Sequence, residues 1–205
     1  MQLCRRYARC LLDKPDPRSI TLLVIDMQNQ FKRLWTGVDN KHDFLRFQGL
    51  IKTCRDAGTT IVRTQHGHEN PKLDGGMLHA WWNSSIIVNS QNHSFIKGFE
   101  PEESDYIVPK NRYDAFQNTE MDKYLSNIGT TVVIIGGVMT NLCCETTARA
   151  AFCRDYRVIF LADGTATACE EMQRAALLNL SFGFAHVMSC CQTALWLTGK
   201  SIEKD

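Results

Sequence analysis

Three residues with the chemistry of acyl transfer each follow an apolar run in this 205-residue chain. Asp26 comes after LLVI, Lys110 after YIVP, and Cys143 lies in GGVMTNLCC after TVVII. A helix N-terminus and a nearby cation both favour the thiolate form of a cysteine. A carboxylate within reach can take the thiol proton and later hand it to a leaving amine. The combination predicts nucleophilic hydrolysis of an amide, with Asp26 as base and acid.

Taken singly, each residue also has a structural interpretation. Asp26 could serve in a turn, Lys110 could be a solvated surface group, and Cys143 or the adjacent Cys144 could be a packed thiol. Neighbouring helical residues are separated by about 100°, so at most one of the two thiols can point at a substrate. Only the combination of acid, ammonium and thiol indicates function.

The elements that must position these residues predict an α/β fold. Six β-branched apolar runs read as strands: TLLVID ending at Asp26, TTIVRTQ ending at Gln65, DYIVPK ending at Lys110, TVVIIGG ending at Gly137, YRVIFLAD ending at Asp163, and AHVMSC ending at Cys190. Their continuous hydrophobicity is typical of strands buried on both faces of a parallel sheet. We therefore expect one three-layer domain, with a six-stranded, mainly parallel sheet, helices on both faces, and a ligand at the carboxyl ends of the strands.

Segments between the strands have helical character. Thr119 and Asp122 form a candidate capping box, ETTARAAFCRDY follows the Cys143 segment as a helix, and residues 66–104 form an irregular stretch suited to a pocket wall or lid. The spacing of apolar residues indicates two further helices. The first stops at Gly58, and its predicted packing residues are Phe44, Leu45, Leu50, Ile51 and Cys54, with Phe47 less well placed. The second spans Met172 to Phe182, and its predicted packing residues are Ala175, Ala176, Leu178, Asn179 and Phe182.

Composition and charge narrow the possible functions. The 23 basic and 22 acidic residues leave a formal charge of +1, which argues against binding to nucleic acid or an anionic membrane surface. No apolar run is long enough to span a bilayer. The first residues contain Arg5, Arg6 and Arg9 and do not read as a secretory signal, with an Arg-rich transit peptide as the minor alternative.

The nine cysteines are an odd number and include the adjacent pairs Cys143-Cys144 and Cys190-Cys191. Neither a CxxC nor a zinc-finger spacing is present, so a secreted disulfide framework is not expected. We interpret most of the thiols as small buried hydrophobes in a reducing compartment, which predicts a cytoplasmic protein.

The segments VIDMQNQF, VPKNRYDAF and GGVMTNLCCETTARAAF resemble, in order and spacing, the three signatures of the isochorismatase-like cysteine hydrolases, which include nicotinamidases. GMLHAWW resembles the plant-type nicotinamidase relatives. The resemblance implies an isochorismatase-like fold over residues 1–205, with a core from about 20 to 190 and a short extension over 1–18. It also implies a small-molecule substrate, no cofactor, and a homo-oligomer, either a dimer or a tetramer.

By this resemblance Asp26 is the proton shuttle, Lys110 holds the thiolate and the developing charge, and Cys143 rather than Cys144 is the nucleophile. The family pattern also implies a cis peptide between Val138 and Met139, with the Met139 and Cys143 amides as the oxyanion hole.

Substrate contacts are predicted for five further residues: Phe31, Gln65, Trp82, Arg112 and Tyr113. The aromatic residues among them could sandwich a small planar substrate, or could simply anchor a long loop. Arg112 can bind a carboxylate through its guanidinium fork or form a surface ion pair.

Metal-binding members of the family carry an aspartate and two histidines after the second strand, where this chain reads TQHGHENP. His66 stands in place of the aspartate. His66 and His68 have a workable spacing for zinc, but the only acidic partners nearby are Glu69 and Asp74. We therefore predict no metal, which weakens the specific case for nicotinamide.

The main hypothesis is hydrolysis of the C–N bond of a small amide through a thioester on Cys143. A first alternative is isochorismatase-type vinyl ether hydrolysis, although by the resemblance the members with that activity lack the cysteine. A catalytically silent metabolite-binding homologue is the second alternative. A redox protein that uses the adjacent cysteine pairs is the third.

Overall fold

The six apolar runs form one parallel sheet, as the sequence predicts. The computed structural model describes residues 16–35 and 41–199, so the predictions for the first 15 residues lie outside it. The strands are β1 Ile20–Ile25, β2 Thr60–His66, β3 Tyr106–Lys110, β4 Val132–Val138, β5 Arg157–Ala166 and β6 His186–Met188. Their order is β3-β2-β1-β4-β5-β6, and all five pairings are parallel. The order therefore reverses between β1 and β4.

Helices cover both faces of the sheet. They are α1 Lys41–Asp56, α2 Pro71–Asp74, α3 Gly76–Trp82, α4 Met121–Asn127, α5 Glu145–Phe152, α6 Glu170–Gly183 and α7 Cys190–Thr198. A 3-10 helix spans Asn29–Trp35, and a π-helical turn over Thr140–Cys144 leads directly into α5. Within the described ranges no helix is both long enough and apolar enough to cross a membrane.

Alternate residues of each central strand enter different cores. Leu22 and Val24 of β1 pack in the cluster that contains α1 and α7, whereas Leu23 and Ile25 pack in the cluster that contains α4, α5 and α6. All six residues of β1 are buried, which is the pattern of a central strand covered on both sides. The three-layer α/β architecture is confirmed.

Several local predictions are wrong. In α1 the predicted Leu50, Ile51 and Cys54 are buried, but Leu45 is 54% exposed and Phe47 is fully buried. In α6 the buried residues are Ala176 and Leu180, whereas Leu178 and Phe182 are mostly exposed. In α6 the apolar residues lie on more than one face, and the periodicity did not identify the side that the sheet covers.

The boundaries of other elements also differ from the prediction. The capping box is absent, because α4 begins after Glu120 and the Thr119 hydroxyl instead accepts from the Met121 amide at 3.3 Å. Strand β5 continues to Ala166, past the predicted end at Asp163, and β6 ends at Met188 before Cys190. The irregular stretch over 66–104 contains the short helices α2 and α3.

The seven described cysteines are all free, but they are not uniformly buried. Cys54, Cys143, Cys144 and Cys190 are buried, as predicted, whereas Cys153, Cys169 and Cys191 are exposed. Neither adjacent pair is bonded.

Candidate active site

The carboxyl ends of β1 and β3 bring Asp26 and Lys110 together. Asp26 follows β1 directly, Lys110 is the last residue of β3, and His66 of the intervening β2 is in register with Lys110. The Lys110 Nζ lies 2.7 Å from the Asp26 Oδ2, and both side chains are fully buried. Asp26 has a φ of 47°, a left-handed conformation that is uncommon for a residue with a side chain and clusters at functional sites.

Thr64 holds the Asp26 carboxylate in place. Its hydroxyl donates to Asp26 Oδ1 at 2.6 Å and accepts from the Asp26 amide at 3.0 Å. Thr64 is fully buried in β2, so this pair of bonds is shielded from water. One carboxylate oxygen is thus bound to Thr64, and the other faces Lys110.

The Lys110 ammonium is charged in this environment. Its Nζ donates to the Arg112 carbonyl at 2.8 Å in addition to its contact with Asp26. Burial opposes the charged form, but the charge of Asp26 and its hydrogen bond to the ammonium outweigh it, and the pKa of Lys110 is raised. The loop after β3 is held in turn by Thr147 of α5, whose hydroxyl accepts from the Ala115 amide at 3.1 Å.

Cys143 lies in the π-helical turn after β4, with its thiol beside both Asp26 and Lys110. Burial raises the pKa of this thiol to about 12, Lys110 opposes the increase, and Asp26 adds to it. The expected effect of the cation is present, since Lys110 lowers the pKa of the thiol, but burial and Asp26 outweigh it in the resting site. Because the thiol is buried beside a carboxylate, it keeps its proton.

The backbone before Cys143 has the geometry that the family resemblance implies. The peptide between Val138 and Met139 is cis. Gly137 has a φ of 125°, and a Cβ at this position would overlap the carbonyl oxygen of Ile25. A glycine is therefore required where β4 passes β1 and turns toward the site.

A cavity of about 290 Å³ opens beside Cys143. Its wall is largely apolar and includes Phe31, Leu78, Trp82, Ile86, Met139 and Leu142. Tyr113 also lines it, and its hydroxyl accepts a hydrogen bond from the Trp82 indole nitrogen at 2.7 Å. Cys144 is buried in the core beneath α5 and is not part of the cavity wall, so Cys143 is the thiol that a ligand would meet.

Two of the predicted contact residues lie elsewhere. Gln65 and Arg112 line a separate cavity, which also contains His93 and Glu69. The Gln65 side chain donates to the His93 carbonyl at 3.1 Å, and Arg112 donates to the Asp74 carbonyl at 2.8 Å. The prediction for these two is corrected: Gln65 alternates to the opposite side of β2 from Thr64, and the Arg112 guanidinium fastens α2 to the loop after β3.

Two histidines form part of the cavity wall beside the triad. The His66 and His68 rings meet edge to face, with centroids 5.2 Å apart. Burial and the charge of Lys110 together lower the pKa of His66 to about 4, so this ring is neutral at physiological pH. The His68 Nδ1 lies 3.1 Å from the Asp74 Oδ1.

These residues do not fit the metal site of the metal-binding family members. The Asp74 carboxylate is already engaged by the His68 ring and by the amides of Glu69 and Asn70. Across residues 16–35 and 41–199, no cluster of three or more His, Cys, Asp or Glu side chains has a geometry suited to a metal ion. The two imidazoles lack the carboxylate that would complete a three-ligand set.

Sequence reasoning missed two residues that organise the site. Thr64 is one, and the only indication of its role in the sequence was its position as a polar residue near the end of a buried strand. Gln28 is the other: its side chain donates to the carbonyls of His66 and His93 at 2.9 and 2.8 Å and accepts from the His66 amide at 2.9 Å. Gln28 thereby ties the end of β1 to the end of β2 and to residues of the long loop.

Comparisons with known proteins agree with this geometry. The family model described as "Isochorismatase domain" matches residues 21–192. Nicotinamidase 3 of Arabidopsis thaliana is 42% identical over 182 residues, which cover 86% of this chain and 89% of the relative. A ureidoacrylate amidohydrolase of Methylobacterium radiotolerans is 28% identical, over 91% of this chain and 83% of that protein.

Solved structures with the same fold include a cysteine hydrolase from Pseudomonas syringae pv. phaseolicola. It has a TM-score of 0.83 at 23% identity and covers 91% of this chain and 96% of its own. An isochorismatase-like hydrolase from Alkaliphilus metalliredigens has a TM-score of 0.74 at 29% identity, over 87% of this chain and 96% of its own.

Proposed function

The chain belongs to the isochorismatase family of hydrolases, and from this premise we propose that it is a cysteine amidohydrolase that cleaves the C–N bond of a small, planar carboxamide. The observation that carries the proposal is the buried Asp26–Lys110 pair in contact with the Cys143 thiol at the wall of an apolar cavity. The nicotinamidase and amidohydrolase relatives support the same reaction class.

The reaction begins with a thiol rather than a thiolate. As the Cys143 sulfur attacks the amide carbon, its proton passes to Asp26, and the C–S bond forms while the carbonyl π electrons move to oxygen. Lys110 stays protonated and compensates the charge that sulfur carries during the transfer. The resulting tetrahedral oxyanion is assigned to the backbone amides of Met139 and Cys143, two residues that line the cavity.

Collapse of the tetrahedral intermediate breaks the C–N bond. Asp26 returns its proton to the departing nitrogen, which leaves as ammonia or an amine, and Cys143 remains as a thioester. A water molecule then attacks the thioester while Asp26 takes one of its protons. The second collapse breaks the C–S bond, and the sulfur recovers a proton from Asp26. The acid product leaves and gives its own proton to the released ammonia or to water, so it ends as a carboxylate.

Two alternatives are less well supported. Vinyl ether hydrolysis has no need of a thiol in contact with Asp26 and Lys110, and the described residues that line the cavity include no cation that would bind a carboxylate-rich substrate. A silent binding homologue has no need of the buried charge pair, whose desolvation cost is substantial.

The ligand, the cellular location and the assembly of the protein are also part of the proposal. We propose a small molecule as the ligand, a cytoplasmic location and assembly as a homo-oligomer. The formal charge of +1 supports a protein without nucleic-acid or membrane partners. Sedimentation of the purified full chain tests the assembly, and imaging of a tagged full chain tests the location.

Ammonia release from a panel of primary amides that includes nicotinamide tests the reaction. We expect Cys143→Ala to lose turnover by at least about a thousandfold, because the covalent route is then closed. Cys144→Ala is the matched control, since it removes an adjacent thiol that is not part of the cavity wall, and it should keep turnover within a fewfold. Equal loss in the two variants, or no release from any amide, would refute the proposal.

A further inference from the structure

The cavity beside Cys143 offers a ligand hydrogen-bonding groups but no charge. None of the described residues that line it is Asp, Glu, Lys or Arg. The ionised groups nearest to the nucleophile, Asp26 and Lys110, lie 2.7 Å apart, and their charges cancel. The part of the substrate that does not react is therefore surrounded by aromatic and aliphatic side chains and a few neutral polar groups.

His68 is one of those polar groups, and its orientation is fixed by the residues around it. Its ring is almost fully buried, and its main chain is anchored to the next segment by two hydrogen bonds, from its amide to the Ile86 carbonyl at 2.8 Å and from the Val88 amide to its own carbonyl at 3.0 Å. The ring nitrogen Nδ1 faces Asp74 at 3.1 Å. The ring therefore has a defined direction without any ligand bound.

Asp74 fixes which ring nitrogen carries the hydrogen. Its second carboxylate oxygen accepts from the Glu69 amide at 2.8 Å, a bond that favours the ionised form. An ionised carboxylate can only accept hydrogen bonds, so the hydrogen between the two side chains is on Nδ1 of His68. In the neutral ring, Nε2 then carries a lone pair, and it is the nitrogen that remains available to a ligand.

We propose that His68 accepts a hydrogen bond from the substrate through Nε2, and that the substrate is an uncharged planar carboxamide whose body carries an N–H or O–H donor. Asp74 is a positioning residue, because it acts through His68. This inference rests on the amidohydrolase function proposed above, and it determines which amides the site accepts. It separates three classes of amide: those with a donor, those with an acceptor, and those with a negative charge.

Four amides of similar shape distinguish these classes. 3-Aminobenzamide offers a donor, nicotinamide offers a ring acceptor, benzamide offers neither, and 3-carbamoylbenzoate is an anion. Binding is measured by calorimetry at pH 8 on Cys143→Ala, so that each amide stays intact. We expect 3-aminobenzamide to bind about tenfold more tightly than nicotinamide or benzamide, a difference of one hydrogen bond. The anion should bind at least about a hundredfold more weakly than benzamide, because no cation receives it.

The Asp74→Asn substitution should invert the preference. An asparagine amide can keep the backbone bond through its oxygen and donate to Nδ1 through its nitrogen, which moves the ring hydrogen to Nε2. In Cys143→Ala with Asp74→Asn, nicotinamide should therefore bind about tenfold more tightly than 3-aminobenzamide. If Asp74 had a purely structural role, its substitution would weaken the binding of all four amides by the same factor. Asp56→Asn, on the exposed end of α1, is the matched control and should leave the ratios unchanged.

His68→Phe is a second variant that removes both ring nitrogens and should bring the ratio of 3-aminobenzamide to nicotinamide binding close to one. The inference is overturned if nicotinamide or the anion binds as tightly as 3-aminobenzamide to the Cys143→Ala variant that carries no other substitution. It is also overturned if the ratio of 3-aminobenzamide to nicotinamide binding is unchanged in both the Asp74→Asn and the His68→Phe variants. Only variant proteins that show a cooperative thermal unfolding transition enter this comparison. If the ratios are as expected but the native enzyme hydrolyses none of the amides, the recognition stands and the proposed reaction fails.

Discussion

Replacing Thr64 with valine removes one hydroxyl while nearly preserving the shape of a fully buried side chain. That hydroxyl donates to the Asp26 carboxylate at 2.6 Å and accepts from the Asp26 amide at 3.0 Å. Thr64→Val therefore leaves the Asp26 amide and one carboxylate oxygen of a buried residue without their partner. The carboxylate is then held by Lys110 alone and can rotate away from the orientation that faces the thiol.

The size of the effect follows from these two bonds. A hydrogen bond to a charged group is worth about 1.5 to 3 kcal/mol, so the unfolding free energy should fall by about that amount. If the same energy is lost from the orientation of the base in the transition state, kcat falls about ten- to a hundredfold. KM for the amide should change little, because Thr64 does not line the substrate cavity.

The assay combines ammonia release with urea unfolding of the same preparations. Thr64→Ser is the matched control, since it keeps the hydroxyl and loses only a methyl group, and it should retain kcat within a fewfold. The reasoning is refuted if Thr64→Val turns over amide as fast as the native enzyme, or if the serine and valine variants are equally impaired. Either result would mean that the hydroxyl does not position Asp26.

Three further predictions concern the walls of the site. Because burial lowers the pKa of His66 to about 4, the unfolded chain binds this proton more readily, and the unfolding free energy should rise from pH 4 to 6.5 by up to about 3 kcal/mol. His66→Phe should flatten that slope in urea titrations, and an unchanged slope would contradict the assignment. Tyr113→Phe removes the acceptor of the 2.7 Å bond from Trp82, and it should raise KM about three- to tenfold with kcat nearly unchanged. Gly137→Ala should yield little folded protein on size-exclusion chromatography, because its Cβ would meet the Ile25 carbonyl.

The architecture was predictable because buried parallel strands have a distinctive composition. Runs such as TLLVI and TVVII carry apolar residues on both faces, and the polar residue that ends each run marks the edge where ligands bind. Asp26, Lys110 and Cys143 could therefore be brought to one edge before any contact was known. The choice of Cys143 over Cys144 came from the family pattern, and the cavity wall supports it.

The sequence could not predict which side of a strand or helix faces which neighbouring element. Gln65 and Thr64 are adjacent in β2, and only the alternation of the strand decides that Thr64 faces Asp26 while Gln65 faces the other cavity. The packing side of α6 was misjudged because its apolar residues lie on more than one face. The protonation of the Cys143 thiol depends on burial, which no local motif encodes.

That buried thiol also determines the order of events in the proposed reaction. With a pKa of about 12, almost no thiolate exists at neutral pH before a substrate binds. An amide that enters the cavity brings a carbonyl carbon to the sulfur, and its developing oxyanion can be stabilised by backbone amides as the proton moves to Asp26. The attack and the proton transfer are then coupled, and the fixed charge of Lys110 stabilises the negative charge that sulfur carries as its proton leaves. A resting thiol is less prone to alkylation and oxidation than a thiolate, so the same burial protects the nucleophile between turnovers.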